Sequence, residues 1–458
     1  MSDASGADLT LEDYAMKAGY GRLTGVSIAC HAIRDAYLLM HVGVGCKNKV
    51  THLLAHDWEQ HCNLRQGWTE VSDQDLIMGS SRRIGPYLRS WQKRMDSGYV
   101  VVVSVTFLEL TGEDVEGEIR RALDGAPVPV DLIPALGFDG DEFDGYASLA
   151  QAVLAKVDWK RPVKRGQVSV LGYFFDRYEG DHTGNMVQLA GLLSGVGASL
   201  GPVLFSGRTY AEHLEVSTSE VLVTLPYLPE GEAAVAAEAR TQGRRVVATD
   251  LPMGFAGTTR WLKTVGEALR IDPRKVAAYT DKREERARGS LEKMFSRWSR
   301  HRVAVFAEPP LAAGVCAMLL ELGMQPTLVG LRGKGLGGAA YFRAVLERNG
   351  QALPEGAEVL EDPSLARIQS AVRQLLEQGL VDGIIGSATE LNPVRTMDAR
   401  QPRARAESPL GEPFVLELGF PCLNYHALQQ MPFMGYGGVV SFAQRMIDAP
   451  RLCLKTED

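Results

Sequence analysis

Short, almost wholly apolar runs recur along this chain, each followed by a turn and then by apolar residues at helical spacing. YLLMHV (37–42), YVVVVSVTFLEL (99–110) and QVSVLGYFF (167–175) open the series. SEVLVTLPY (219–227), RRVVATDLPMG (244–254), PTLVGL (326–331), DGIIGS (382–387) and PFVLELGFP (413–421) continue it. With few polar residues interleaved, these runs predict strands buried on both faces, as in parallel sheets. Helical patterns lie between them. Leu23, Val26, Cys30, Ile33 and Tyr37 recur at helical spacing, TGEDVEGEIRRAL predicts a helix start capped by Thr111, and DKREERARGSLEKMFSRW predicts a long helix solvated on one face. The alternation runs through three cycles. It predicts an α/β chain of three doubly wound, mainly parallel-sheet (Rossmann-like) domains around a shared cleft, over 1–160, 161–300 and 301–458.

Length supports several domains, because 458 residues exceed what one hydrophobic core serves. A net charge of −7 gives no basic surface for nucleic acid. No apolar run approaches the roughly 18 residues of a membrane span, and the acidic start MSDASGADLTLEDY lacks the features of a signal peptide. A cytoplasmic location is expected. Six irregularly spaced cysteines do not form a disulfide framework. Cys316 falls on the apolar side of a predicted helix, and Cys422 and Cys453 have no nearby partner, so core or surface thiols are expected there.

Candidate chemistry concentrates near the N-terminus. Cys30, Cys46 and Cys62 lie within one 33-residue stretch together with His31, His41, His52, His56 and His61. At its centre HVGVGCKNK sets Cys46 after Gly43 and Gly45, at the end of a predicted strand. Thiolate is the preferred ligand of iron–sulfur clusters, glycine lets a bulky inorganic group approach, and Lys47 and Lys49 favour a thiolate. Cys30 also fits a core position, and Cys62 is either a cluster neighbour or a surface residue. His31 and His41 are candidate donors to cluster sulfurs. His52 and His56 have a zinc-compatible i, i+4 spacing but no third ligand in an obvious motif. The tract LRGKGLGGAA (331–340) lacks the full phosphate-loop pattern and reads as a flexible loop without nucleotide.

Several segments, in order, resemble the component 1 proteins of the nitrogenase family, which includes the dark-operative protochlorophyllide and chlorophyllide reductases and cofactor-assembly scaffolds. HVGVGC is similar to the glycine-flanked cluster cysteine, with its first glycine one residue late. WTEVSDQDLIMGS, VTFLELTGEDVEGEI, RVAVFAEPPLAAGVCAMLLELGMQPTLVG and VLELGFPCLNYHALQQMPFMGYGGVVSFAQRMID resemble later family segments. In nitrogenase subunits three cysteines of each chain hold an eight-iron cluster. Cys46 matches the middle one, Phe107 stands at the third, and none occurs near Tyr20 to Arg22.

The resemblance therefore implies one thiolate from this chain and three from a partner, which suits a [4Fe-4S] cluster. Met434 replaces the histidine that precedes G-Y in cofactor-holding subunits, which implies a β-type chain. Its implied partners are an α-type subunit, in a heterodimer or α2β2 heterotetramer, and a transient ATP-dependent iron–sulfur reductase. Substrate would be held mainly by the α-type subunit, and this chain alone would be inactive. His426 is a candidate substrate contact or proton donor, with a structural role equally open. Two alternatives stand beside this expectation: a non-catalytic scaffold for metal-cofactor assembly, and a sugar- or nucleotide-binding α/β protein.

Overall fold

A computed structural model describes residues 19–55, 65–94, 98–106, 110–123, 128–137, 140–228, 233–333, 335–397, 400–401, 412–452 and 455–456. Three parallel sheets carry the fold. The first contains β1 (Ala36–His41), β2 (Gln66–Trp68), β3 (Tyr99–Val105) and β4 (Val130–Ala135) in the order β2-β1-β3-β4. β1 and β3 are buried at every residue and pair from Ala36↔Tyr99 to His41↔Ser104. Around this sheet lie α1 (Arg22–His31), α2 (Val44–Leu54), α3 (Asp73–Met78), α4 (Ile84–Arg94), α5 (Val115–Ala122) and α6 (Glu142–Leu154). The α5 cap is Asp114, whose carboxylate accepts from the Gly117 amide, rather than the expected Thr111.

The second sheet has β5 (Lys164–Leu171), β6 (Ser199–Val203), β7 (Ser219–Thr224) and β8 (Arg245–Ala248) in the order β6-β5-β7-β8. With it go α7 (Gly180–Val196), α8 (Tyr210–His213), α9 (Ala233–Thr241), α10 (Gly254–Ala268) and α11 (Pro273–Trp298). The third sheet, β11-β10-β9-β12-β14, contains β9 (Arg302–Ala307), β10 (Gln325–Leu331), β11 (Glu358–Glu361), β12 (Gly383–Gly386) and β14 (Phe414–Glu417). Its helices are α12 (Pro309–Glu321), α13 (Gly338–Arg348), α14 (Leu365–Glu377), α15 (Ala388–Thr396) and α16 (Gly435–Asp448). A small parallel pair joins β13 (Arg400–Gln401) to β15 (Lys455–Thr456).

The expected α/β architecture is therefore present; β1, β3, β12 and β14 are buried throughout as their apolar runs require, whereas β8, at the edge of its sheet, is only partly buried. One hydrophobic cluster runs through all three sheets, and α16 returns to pack on α7, α10 and α11 of the second. Among the described residues no helix is long and apolar enough to cross a membrane.

Candidate metal centre

The carboxyl edge of the first sheet is built from the loops that follow β1, β2 and β3. β1 ends at His41, which is fully buried. Its Nε2 lies 3.2 Å from Ser80 Oγ and its Nδ1 2.8 Å from Thr69 Oγ1. Ser80 donates to Glu113 Oε1 at 2.8 Å, and the Ser81 amide donates to Oε2 at 2.6 Å. With its proton given to Glu113, the Ser80 oxygen accepts from His41 Nε2–H, and His41 Nδ1 accepts from the Thr69 hydroxyl. Burial pushes the His41 pKa down to about 4, so the ring stays neutral. It clips three loops together, and neither nitrogen is left for a cluster sulfur.

The chain then enters α2 through Gly43, the residue before the helix. Cys46 lies in the first turn and is exposed. The expectation set it at the end of a strand after two glycines; the helix begins at Val44 and carries both Gly45 and Cys46. Gly43 has an ordinary φ of −75°, so its contribution is not conformational. A Cβ at Gly45 would meet nothing within 4 Å, so the space beside the thiol is open. The neighbouring lysines are engaged locally: Lys47 Nζ is 2.7 Å from Glu70 Oε1 and 4.2 Å from the Trp68 ring centroid. Lys49 Nζ sits 4.9 Å from the ring of Tyr20. On this same edge Val44, Ile77, Met78 and Leu110 are 52%, 83%, 61% and 79% exposed, a concentration of apolar surface typical of a face that meets another protein.

Other sequence candidates lie elsewhere. Cys30 and His31 are in the last turn of α1, at the opposite edge of the sheet, separated from Cys46 by the length of β1, about 20 Å. Cys30 is buried, and desolvation raises its thiol pKa far above the ordinary range. His31 packs edge-on against Tyr178. Cys316 and Cys422 are buried. Cys62, Cys453, His56, His61 and Phe107 lie outside the described residues. His52 is exposed on α2. Among the described residues no group of three or more His, Cys, Asp or Glu side chains is placed to hold a metal ion. Among the described residues, the soft donor at this edge is the accessible Cys46 thiol, which fits a cluster completed by another chain.

Between the second and third sheets, Met434 lines a cavity of about 30 Å³ with Phe433, Phe420 and Leu311, enough for one or two waters. Its charges are paired internally. His182 Nε2 is 2.7 Å from Asp176 Oδ1, and Arg177 donates to Asp181. Burial opposes a charge on His182, but Asp176 and Asp181 overcome it and raise its pKa. His426, half-buried, has its Nδ1 2.7 Å from Glu179 Oε1, while Glu179 Oε2 accepts from the Ala427 amide at 2.7 Å. These contacts tie the loop after β14 to the start of α7.

Sequence reasoning missed a further cluster. Arg332, buried at the end of β10, lies 3.4 Å from Glu142, 3.3 Å from Glu308 and 3.3 Å from Glu390. Tyr227 donates to Glu308 at 2.6 Å, and the Tyr20 amide donates to Glu142 at 3.0 Å. All three sheets are joined at this arginine. Its one sequence signal is an arginine following directly on an apolar strand.

In architecture the chain matches a solved nitrogenase, Nitrogenase Cp1 at pH 6.5, with a TM-score of 0.76, 14% identity, and coverage of 98% of this chain and 94% of that one. Residues 22–450 match the family model for Nitrogenase component 1 type Oxidoreductase, and the chain belongs to that family. Its relatives include the nitrogenase iron-iron protein beta chain of Rhodobacter capsulatus, 23% identical over 92% of this chain and 90% of that protein. Shorter matches reach the nitrogenase iron-molybdenum cofactor biosynthesis protein NifN of Rhodobacter capsulatus (27%, covering 29% of each). The light-independent protochlorophyllide reductase subunit N of Parasynechococcus marenigrum is 28% identical over 35% of this chain and 36% of its own.

Proposed function

We propose that this chain is the β-type subunit of a nitrogenase-like reductase, contributing the Cys46 thiolate to an iron–sulfur cluster shared with an α-type partner. The observation that carries this reading is the exposed thiol at the first-sheet edge, set among exposed Val44, Ile77, Met78 and Leu110. Burial of such apolar surface is what drives stable association. When bound, the cluster supplies one-electron redox chemistry. In this chain Cys46 would hold it, Gly45 leaves it room, and Glu113 with His41 fixes the loops around it. An ATP-dependent iron–sulfur reductase is the proposed electron source, and the α-type subunit the main holder of substrate. With Met434 in place of a histidine, and with His182, Asp176 and Asp181 paired among the cavity's own residues, the small cavity between the second and third sheets suits a non-cofactor subunit.

The test is anaerobic iron and sulfide analysis with electron paramagnetic resonance on the coexpressed complex. Wild type is compared with Cys46→Ala, Cys30→Ala and Cys62→Ala. Loss of signal in the first alone is expected; an intact signal in Cys46→Ala removes the proposal. The resemblance to NifN supports an assembly scaffold as the second reading. Turnover with the reductase decides between them, since a scaffold loads and releases metal without consuming substrate.

A further inference from the structure

Away from the thiol edge, the second and third sheets enclose a larger cleft of about 1120 Å³. The ends of β7 and β8 contribute Leu225 and Thr249, α10 contributes Arg260 and Trp261, and Leu336 and Arg348 face them from the third-sheet side. The carboxyl edge of a parallel sheet is where open α/β folds bind ligands, and the volume is that of an organic-ligand pocket.

The charge in this cleft runs against that of the whole chain. Arg240, Arg260 and Arg348 line it, and Asp250 is the one acid among its described lining residues. Three positive charges against one negative leave a net of +2, in a chain of net charge −7. Asp250 holds two of these arginines in place: Arg260 Nη2 donates to Oδ2 at 2.9 Å and Arg348 Nη2 to Oδ1 at 2.7 Å. The Tyr341 hydroxyl donates to the same carboxylate at 2.9 Å. Arg240 is exposed. Behind the lining, Trp261 Nε1 and Thr249 Oγ1 are buried with no hydrogen-bond partner among the described residues.

We propose that this cleft binds an amphipathic organic anion, with an apolar body against Pro226, Val246 and Ala248, which line the cleft and are partly or fully exposed, and a carboxylate or phosphate between the arginines. The site lies apart from Cys46, so it stands or falls independently of the cluster reading.

The probe is 1-anilinonaphthalene-8-sulfonate, titrated by calorimetry into the full chain. One saturable site is expected. Arg240→Gln and Arg348→Gln should each weaken it about tenfold, as loss of one charged contact worth about 1.4 kcal/mol does. Thr264→Trp keeps every arginine and places an indole in the cleft beside them, and it should weaken binding at least about tenfold. The neutral N-phenyl-1-naphthylamine should bind at least about tenfold more weakly, and equimolar inorganic phosphate should not displace the probe. Non-saturable binding, equal affinity for the neutral compound, displacement by phosphate, or wild-type affinity in Arg240→Gln each overturns the proposal. Arg240 is exposed, so that variant keeps the test decisive if Thr264→Trp fails to fold.

Discussion

Cys30 and Cys46 share a chemistry and differ in environment, and the difference is measurable. Cys30 is 3% exposed in the packed end of α1, where burial raises its thiol pKa and suppresses the nucleophilic thiolate. Cys46 stands in solvent beside a glycine. Iodoacetamide applied to the native isolated chain should therefore label Cys46 and spare Cys30, Cys316 and Cys422, all three buried. Peptide mass mapping reads this directly, and labelling of Cys30 at the rate of Cys46 would refute the placement of α1. Stability should separate the same pair. Cys46→Ser is expected to change unfolding free energy by no more than about 0.5 kcal/mol, as surface substitutions do. Cys30→Ser buries a hydroxyl among apolar groups and should cost about 1–3 kcal/mol by urea denaturation.

Among the elements, the α1–α6 contact has the least tolerance. A Cβ at Gly25 would lie 1.7 Å from the Glu142 carbonyl oxygen, and one at Gly145 would lie 2.0 Å from that of Arg22. Backbone cannot yield as a flexible side chain does, so Gly145→Ala should destabilise by about 1–3 kcal/mol. An unchanged denaturation midpoint would show that the helices cross further apart. This contact was hidden in the sequence, where the two glycines are 120 residues apart and nothing local marks either one. The strands were legible for the opposite reason: VVVV in β3 or GIIG in β12 carries its burial in its own composition. Legible too was the edge position of Cys46, since strand, turn and helix are contiguous there. The cap of α5 was misplaced because Thr111, Glu113 and Asp114 all offer oxygens, and Glu113 is recruited by Ser80 and Ser81 across the sheet edge. That recruitment depends on loops a local pattern does not connect. The same holds for His41, whose partners Thr69 and Ser80 lie 28 and 39 residues on.

At the scale of the molecule, the junction of the three sheets is electrostatic. Glu142, Glu308 and Glu390 surround Arg332, and all four are at most 3% exposed. One guanidinium does not neutralise three carboxylates in a dry interior. Burial, only partly offset by Arg332, raises Glu142 to about 7 and raises Glu390 as well. The same carboxylates outweigh desolvation at Arg332 and hold it charged. A carboxyl whose folded pKa lies above its unfolded value binds more protons in the folded state. Its contribution to stability is therefore full below the unfolded value, near 4.5, and is lost as pH rises through about 7. The span from 4.5 to about 7 corresponds to roughly 3 kcal/mol. His41 and His213, whose pKa values burial lowers to about 4, act in the opposite direction below their ordinary value, so the pH profile of the wild type alone is ambiguous. Comparison with Glu142→Gln removes that ambiguity, because the amide mimics the protonated acid and leaves both histidines unchanged. Near pH 5 the two proteins should unfold at similar denaturant concentrations. Between pH 5 and 7 the variant should gain on the wild type by up to about 3 kcal/mol, with no further gain at higher pH. Parallel profiles across that range would mean that Glu142 is already ionised at pH 5, and that the junction holds its three carboxylates by some charge other than Arg332.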